Sequence, residues 1–140
     1  MGGTNPGEGS ESGARVGGGA GVVKAADAIP AQPVAAGRAT RVRVLVGPAD
    51  GAPNFVLRRF TMDAGGGIPA HTNRVEHEQY VLRGRARITI GDAVHEVGPD
   101  DALYIPAGTT HSYEVLEAPF EFLCVVPDAP DEIRLEEGAG

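Results

Sequence analysis

The chain has little of what disulfide-bonded, membrane-spanning or secreted proteins depend on. Its 140 residues include one cysteine, Cys124, and no tryptophan, so a disulfide within the chain is excluded. No segment approaches the roughly 20 consecutive apolar residues of a transmembrane helix, and the N-terminus lacks the basic and apolar regions of a signal peptide. We therefore expect a soluble protein of the cytoplasm, in which Cys124 is a core residue because it lies in an apolar run.

Basic residues are also scarce. Twelve Lys and Arg residues stand against nineteen Asp and Glu residues, which gives a net charge of −7 and an isoelectric point of about 5.0. The field of such a protein repels polyanions, and no basic stripe with interleaved aromatic residues offsets it. We expect neither nucleic acid nor a membrane as a partner, and favour a small molecule instead.

The length fits one domain, and the composition divides the chain into four segments. Residues 1–21 are rich in Gly, Ser and Glu with almost nothing apolar to bury, which predicts a flexible, disordered tail. Residues 22–37 predict an extended arm along the domain, because their prolines disfavour helix. Residues 38–128 form the folded domain, and residues 129–140 an acidic tail that we expect to be solvated.

Short apolar runs separated by turn residues occupy the folded domain, a pattern typical of an all-β sandwich or barrel. The run Arg85 to Ile90 alternates most regularly, with Ala86 and Ile88 on one face. Gly91-Asp92 then predicts a tight hairpin turn, and Gly65-Gly66-Gly67 predicts another turn. No capped segment with the 3.6-residue period of a helix is present. The sequence therefore predicts strands almost throughout.

Side chains that bind metals are concentrated in one short segment. If the segment is extended, His71, Asn73, Val75 and His77 share a face, because side chains of a strand alternate. Neutral imidazole is the commonest protein donor to late transition metals, and at least three protein donors are usual for a firmly held ion. His111, which opens its own strand, supplies a third imidazole if the sheet closes on itself.

These residues also carry a resemblance to a known family. Gly65, followed after five residues by His71-x-Asn73 and later by Gly84, resembles the first cupin motif, in which His-x-His precedes a carboxylate and a glycine. The segment Ile105 to His111 resembles the second motif, Pro-x-Gly-x-x-His. Three further runs, at residues 53–60, 75–82 and 121–127, are similar to small single-domain cupins that bind a metal through four histidines.

The resemblance implies a jelly-roll barrel, also called a double-stranded β-helix, and a homodimer that could exchange N-terminal strands. It implies that His71, His77 and His111 hold one divalent transition metal, either Fe, Mn, Cu, Ni or Zn. Asn73 stands where the family has its second histidine, so it is a fourth ligand or orients a metal-bound water. Asp100 replaces the glycine that opens the second motif.

Three neutral imidazoles leave the charge of a divalent ion uncompensated and leave coordination positions open. This favours a metal-dependent oxidoreductase of the dioxygenase type, acting on a small organic molecule. Glu78 is the candidate catalytic carboxylate because it meets the longer spacing that the first motif permits, although on a regular strand it points away from the ligand face. The alternatives are a binding or sensing barrel without turnover and a structural barrel whose metal site is closed or lost.

Overall fold

The computed structural model describes residues 20–136, and the expected disordered tail lies outside these residues except at its last two positions. Within this range there is no α-helix, only two short 3₁₀ turns, so the prediction of an all-β chain is confirmed. The described residues form eight strands: β1 (Gln32–Pro33), β2 (Arg38–Val46), β3 (Phe55–Thr72), β4 (His77–Ile90), β5 (Ala93–Val97), β6 (Ala102–Ile105), β7 (His111–Pro127) and β8 (Arg134–Leu135).

The strands form one antiparallel sheet that curls into a jelly-roll barrel. Its order is β1-β2-β3-β7-β4-β5, with β6 paired to β4 and β8 paired to β3. Strands β3, β4 and β7 contain 18, 14 and 17 residues, whereas typical strands contain about 5–6. Strands this long must bend, and the shifts in register between them mark where they do so. One face of the curled sheet encloses the core.

Aromatic side chains fill the centre of the barrel. Phe122 on β7 stacks on Phe60 of β3, with ring centroids 5.0 Å apart, and on Tyr113 at 5.5 Å. Phe120, Phe122 and Cys124 are all buried and alternate along β7, as a half-buried strand requires. The prediction that Cys124 is a core residue is confirmed.

The Gly65-Gly66-Gly67 segment is not a turn, so the prediction of a turn there is wrong. It lies inside β3, where the register with β7 shifts between Met62 and Gly67. Gly67 approaches β7 so closely that a Cβ atom there would collide with the carbonyl oxygen of Tyr113. The glycines permit a bulge that bends the strand without ending it.

Asp100 occupies a backbone position that favours glycine. Its φ angle is 74°, in the left-handed region that Asp tolerates better than most other residues. Its carboxylate accepts a hydrogen bond from the Tyr80 hydroxyl at 2.6 Å, and its backbone N–H donates to the carbonyl of Val81 at 2.9 Å. These bonds explain how Asp100 replaces the glycine of the second motif.

Both terminal segments return to the barrel. In the arm, Gln32 and Pro33 pair with β2, and Val34 packs against the core. At the other end, Arg134 and Leu135 pair with β3. This C-terminal segment is exposed, as a solvated tail would be, but it is held against the sheet.

The Gly91-Asp92 hairpin is present as predicted. No helix among residues 20–136 is long and apolar enough to cross a membrane.

The two glycines that bound the first motif allow a matched test of packing. Gly65 and Gly84 have nearly equal φ angles, 76° and 79°. A Cβ atom at Gly65 would meet nothing within 4 Å. A Cβ atom at Gly84 would collide with Pro119 and lie 2.6 Å from the carbonyl oxygen of Glu117. We expect Gly65→Ala to lower the free energy of unfolding by about 1 kcal/mol through backbone strain alone. Gly84→Ala should lower it by at least about 3 kcal/mol. Equal losses in urea denaturation would contradict the close approach of β4 to β7.

Candidate metal centre

Three histidines from three strands meet at one end of the barrel. His71 lies near the end of β3, His77 opens β4 and His111 opens β7, and the pairing of β3 with β7 sets His71 opposite His111. The ring centroids of His71 and His111 are 4.2 Å apart, and those of His77 and His111 are 6.0 Å apart. All three side chains are buried. The structure thus brings together the imidazoles that the sequence analysis selects.

The alternation of side chains continues through the connection between β3 and β4. Asn73 and Val75 are buried and Arg74 and Glu76 are exposed, although this connection is a bend rather than a strand. Asn73 therefore faces the interior with the histidines. Glu78, the candidate catalytic carboxylate, is exposed on the outer face of β4, so the structure does not bring it to the cluster.

Backbone carbonyls fix the tautomer of two of the histidines. Nδ1 of His71 lies 2.8 Å from the carbonyl oxygen of Pro69, and Nδ1 of His111 lies 2.9 Å from that of Thr109. Because a carbonyl oxygen can only accept, each Nδ1 must carry the proton. Each Nε2 then carries no proton, and its lone pair is available to a metal ion. Histidines that bind metals are commonly held in this way.

Burial keeps the three imidazoles neutral. It lowers the pKa of His77 to about 3, with smaller contributions from the positive charge of Arg58 and from His111. Burial also lowers the pKa of His111 to about 4, and it holds the pKa of His71 below the ordinary value of 6.5. At neutral pH each ring is therefore in the form whose lone pair can bind a metal ion.

Several buried nitrogen and oxygen atoms at the cluster have no hydrogen-bond partner among the described residues: Nε2 of His77 and His111, Oδ1 of Asn73 and Oε1 of Gln79. Such atoms are rare in folded proteins, and imidazole nitrogen and amide oxygen both bind metals. The residues therefore fit a divalent transition metal. Between residues 20 and 136, however, no three His, Cys, Asp or Glu side chains are already arranged as a metal-binding group, so the ligand set stays a prediction.

A series of polar contacts leads from the cluster into the barrel. Gln79 Nε2 donates to Tyr113 Oη at 2.7 Å and to Cys124 Sγ at 3.6 Å. The same sulfur lies 3.6 Å from Nδ1 of His77. Burial raises the pKa of the Tyr113 phenol and of the Cys124 thiol, so both groups keep their protons at neutral pH.

The cluster adjoins a small cavity of about 50 Å³. Its barrel wall combines apolar and polar side chains: Arg58, Phe60, Ile68, His71, Asn73, His77, Gln79, Tyr113 and Phe122. The terminal segments complete the wall, with Val34 from the arm and Asp131 and Ile133 from the C-terminal segment. Asn73 also lines a wider outer cleft of about 670 Å³. Asn73 therefore borders both the outer cleft and the inner cavity.

Asp131 is a residue of this site that the sequence analysis misses. Its carboxylate accepts hydrogen bonds from Asn73 Nδ2 at 3.2 Å and from the backbone N–H of Arg74 at 2.8 Å. Because a carboxylate only accepts, the amide nitrogen of Asn73 must face Asp131, which leaves the amide oxygen toward the cavity. The contact joins residues 58 positions apart, and no local sequence pattern predicts a contact of that range.

Arg58 is the second cavity residue that the sequence analysis misses. It lies on β3 two residues before Phe60 and four before Met62, both of which are buried. Because side chains alternate along a strand, this spacing from two apolar residues is the sequence signal that places Arg58 on the inner face.

Comparison with known proteins gives a consistent result. A family model described as "Cupin domain" matches residues 58–126. Mannose-1-phosphate guanylyltransferase ManC of Salmonella typhimurium is 36% identical to the chain over 67 residues, and the Escherichia coli K12 mannose-1-phosphate guanylyltransferase is 33% identical over 67 residues. Each match covers 46% of this chain but only 14% of the relative, so the chain corresponds to a small part of these relatives.

Solved structures match a much larger share of this chain and of their own length. The polyketide cyclase RemF from Streptomyces resistomycificus is 32% identical, with a TM-score of 0.74 and coverage of 81% of this chain and 83% of RemF. A cupin 2 domain-containing protein from Halorhodospira halophila is 31% identical, with a TM-score of 0.66 and coverage of 71% of both chains. A predicted oxalate decarboxylase from Thermotoga maritima has a TM-score of 0.66 at 18% identity, covering 75% of this chain and 97% of that one, and so shares the fold.

The contact between the C-terminal segment and the site can be tested by hydrogen exchange. Asp131→Ala removes the acceptor of the Arg74 amide proton, so we expect this proton to exchange about tenfold faster, which corresponds to about 1.4 kcal/mol. Asp128→Ala is the matched control, because the Asp128 side chain makes no hydrogen bond among the described residues. An Arg74 exchange rate that is unchanged in Asp131→Ala would show that the segment does not hold this position.

Proposed function

This chain belongs to the cupin superfamily, and on that premise we propose that it is a metal-dependent enzyme acting on a small organic molecule, as an oxidoreductase of the dioxygenase type. The observation that carries the proposal is the set of buried nitrogen and oxygen atoms at the histidine cluster that have no partner among residues 20–136. A fold does not establish a reaction, so the proposal depends on the chemistry of these residues.

In this proposal, Nε2 of His71, His77 and His111 would hold one divalent transition metal. The carbonyls of Pro69 and Thr109 keep two of the rings in the required tautomer. Oδ1 of Asn73 would be the fourth ligand or would orient a water on the metal, and the hydrogen bond to Asp131 supports either role because it fixes the amide. These alternatives are the ones that the sequence leaves open.

The bound metal would supply a Lewis acid and, if it is redox-active, a site for oxygen chemistry. The chain's own residues supply the surroundings. Phe60, Ile68 and Phe122 make much of the cavity wall apolar, which limits the entry of water. The buried Tyr113 ring lies beside the His111 ring, with centroids 5.8 Å apart, and its hydroxyl keeps a proton that it can donate to a bound molecule.

The size of the cavity limits what can bind without movement. Its volume is about 50 Å³, whereas pockets for drug-sized ligands are typically about 300–1,000 Å³. A substrate larger than a few heavy atoms would therefore have to displace the segments that contribute Val34, Asp131 and Ile133. We propose that such substrates enter from the outer cleft beside Asn73.

A cyclase that does not use oxygen is the second candidate. It is favoured by the similarity to the polyketide cyclase RemF, which covers more than four fifths of each chain. Such an enzyme would need the metal only as a Lewis acid, and zinc would serve. A third candidate is a binding or sensing barrel, which would hold a ligand in the same cavity without turnover.

We further propose that the protein is a cytoplasmic homodimer. Support for the dimer comes from a largely apolar surface beside β3 and β7, lined by Val46, Ala52, Pro53, Asn54, Phe55, Leu57 and Val125, on which Phe55 is 63% exposed. Exposed apolar patches mark interaction sites in many proteins. Sedimentation should then give about twice the mass of the 14.4 kDa chain.

Elemental analysis of protein purified without an affinity tag or chelator tests the proposed metal site. We expect about one Fe, Mn, Cu or Ni ion per chain, and at least a tenfold loss of metal in His77→Ala and in His111→Ala. The matched control is His95→Ala, because His95 is exposed on β5 and lies outside the cluster. Oxygen uptake with candidate substrates should accompany the metal and be lost with it.

The outcomes separate the candidates. Zinc as the only metal, without oxygen uptake, would contradict the dioxygenase and favour the cyclase. No metal in any preparation, even after reconstitution, would contradict both enzymes and leave the binding barrel. Equal metal loss in His95→Ala would show that the cluster is not the site.

A further inference from the structure

We infer that the substrate of this cavity carries a negative charge and that Arg58 is the residue that recognises it. The inference rests on the proposed function, since it names the class of molecule that the same cavity accepts. It concerns a side chain that belongs to neither cupin motif and that the metal chemistry does not use.

Arg58 enters the barrel while its neighbour Arg59 faces outward. The guanidinium carbon of Arg58 lies 5.0 Å from the centroid of the Phe60 ring, and the side chain lines the cavity together with His71 and His77. In contrast, Arg59 pairs with the carboxylate of Glu121 at 2.9 Å. Two adjacent arginines therefore have opposite surroundings, one neutralised by a carboxylate and one set among aromatic and imidazole rings.

The charge of Arg58 has no counter-ion among the residues that the structure describes. None of the ion pairs among residues 20–136 includes Arg58. Its Nη2 donates to Cys124 Sγ at 3.2 Å, but that thiol keeps its proton and so does not neutralise it. Its Nε is buried without an acceptor. A guanidinium has five N–H donors, and a partly buried one without a carboxylate is unfavourable, so we infer that its partner comes from outside the chain.

Asp131 does not fill this role. It is the only carboxylate that lines the cavity among the described residues, but its two oxygens accept from Asn73 and from the backbone of Arg74. No ion pair within 4.0 Å joins it to Arg58 in that part of the chain. The cavity therefore has a cationic wall at Arg58 beside the neutral imidazoles of His71 and His77, and a divalent ion bound there would add to the positive charge.

A small carboxylate or enolate fits this arrangement best. The planar guanidinium fork matches the two oxygens of a carboxylate, and a cavity of about 50 Å³ admits only a few heavy atoms beside the histidines. A neutral molecule of the same size would leave the Arg58 charge uncompensated. The cavity should therefore select anions over neutral molecules of equal shape.

Acetate and acetamide provide the direct comparison, because they have the same shape and differ in charge. Binding of each would be measured by ligand-observed NMR to the full chain as purified and to the same chain after chelation. We expect acetate to bind at least tenfold more tightly than acetamide. Arg58→Gln should weaken acetate binding at least tenfold, whereas Arg83→Gln, which removes an exposed arginine, should leave it unchanged. Arg58→Lys keeps the charge and should retain part of the affinity.

Equal binding of acetate by wild type and Arg58→Gln would overturn the inference, as would equal binding of acetate and acetamide by wild type. Thermal unfolding of each variant shows whether it is folded, and Arg58→Lys serves as the test variant if Arg58→Gln is not. The comparison of purified and chelated chains tests the metal proposal, and the comparison of wild type with Arg58→Gln tests this inference. The failure of one can therefore be told apart from the failure of the other.

Discussion

The pairing of β3 with β7 is the constraint on which the rest of the site depends. This register places His71 opposite His111, sets Arg58 beside Cys124 and brings Gly67 against Glu114. Because strand side chains alternate, a slip of one residue would turn every inward group on one strand outward. The buried aromatic side chains of β3 and β7 hold the register, and the glycine bulge bends β3 without breaking the pairing. The same packing that stabilises the barrel therefore also assembles the histidine cluster.

Two kinds of electrostatic environment meet in the cavity. The imidazoles are neutral because they are buried, and backbone carbonyls orient them with their lone pairs available. Arg58 has no carboxylate partner among residues 20–136, and its Nη2 donates to a protonated thiol. Neutral imidazoles beside a guanidinium without a carboxylate partner do not stabilise the fold in any evident way. The arrangement is explained if the imidazoles bind a metal ion and Arg58 binds an anion. This links the proposed reaction to the proposed substrate class.

Much of the fold follows from local sequence patterns. The period of two that identifies the strand from Arg85 to Ile90 also predicts that Asn73 and Val75 face inward with the histidines, and it does so even where the chain bends. The hairpin at Gly91-Asp92 follows from turn chemistry. These features depend on residues a few positions apart, which is the range over which a single sequence carries a clear signal.

The features that the sequence does not reveal depend on distant contacts. Three consecutive glycines are typical of a turn, and only the continuous pairing of β3 with β7 makes them a bulge. The acidic C-terminal segment has the composition of a solvated tail, yet Asp131 reaches across to Asn73. Arg58 resembles an ordinary surface arginine beside Arg59 until the alternation along β3 is followed from Phe60. In each case the three-dimensional path of the chain, rather than the local residue type, decides the role.

The most direct test of the account is anomalous diffraction from crystals of the metal-loaded protein, measured at the absorption edge of the ion found in it. We expect one strong peak per chain, at about 2.0–2.2 Å from Nε2 of His71, His77 and His111. A map with no peak at these nitrogens, or with the ion bound instead by surface carboxylates, would contradict the assignment of this cluster as the metal centre.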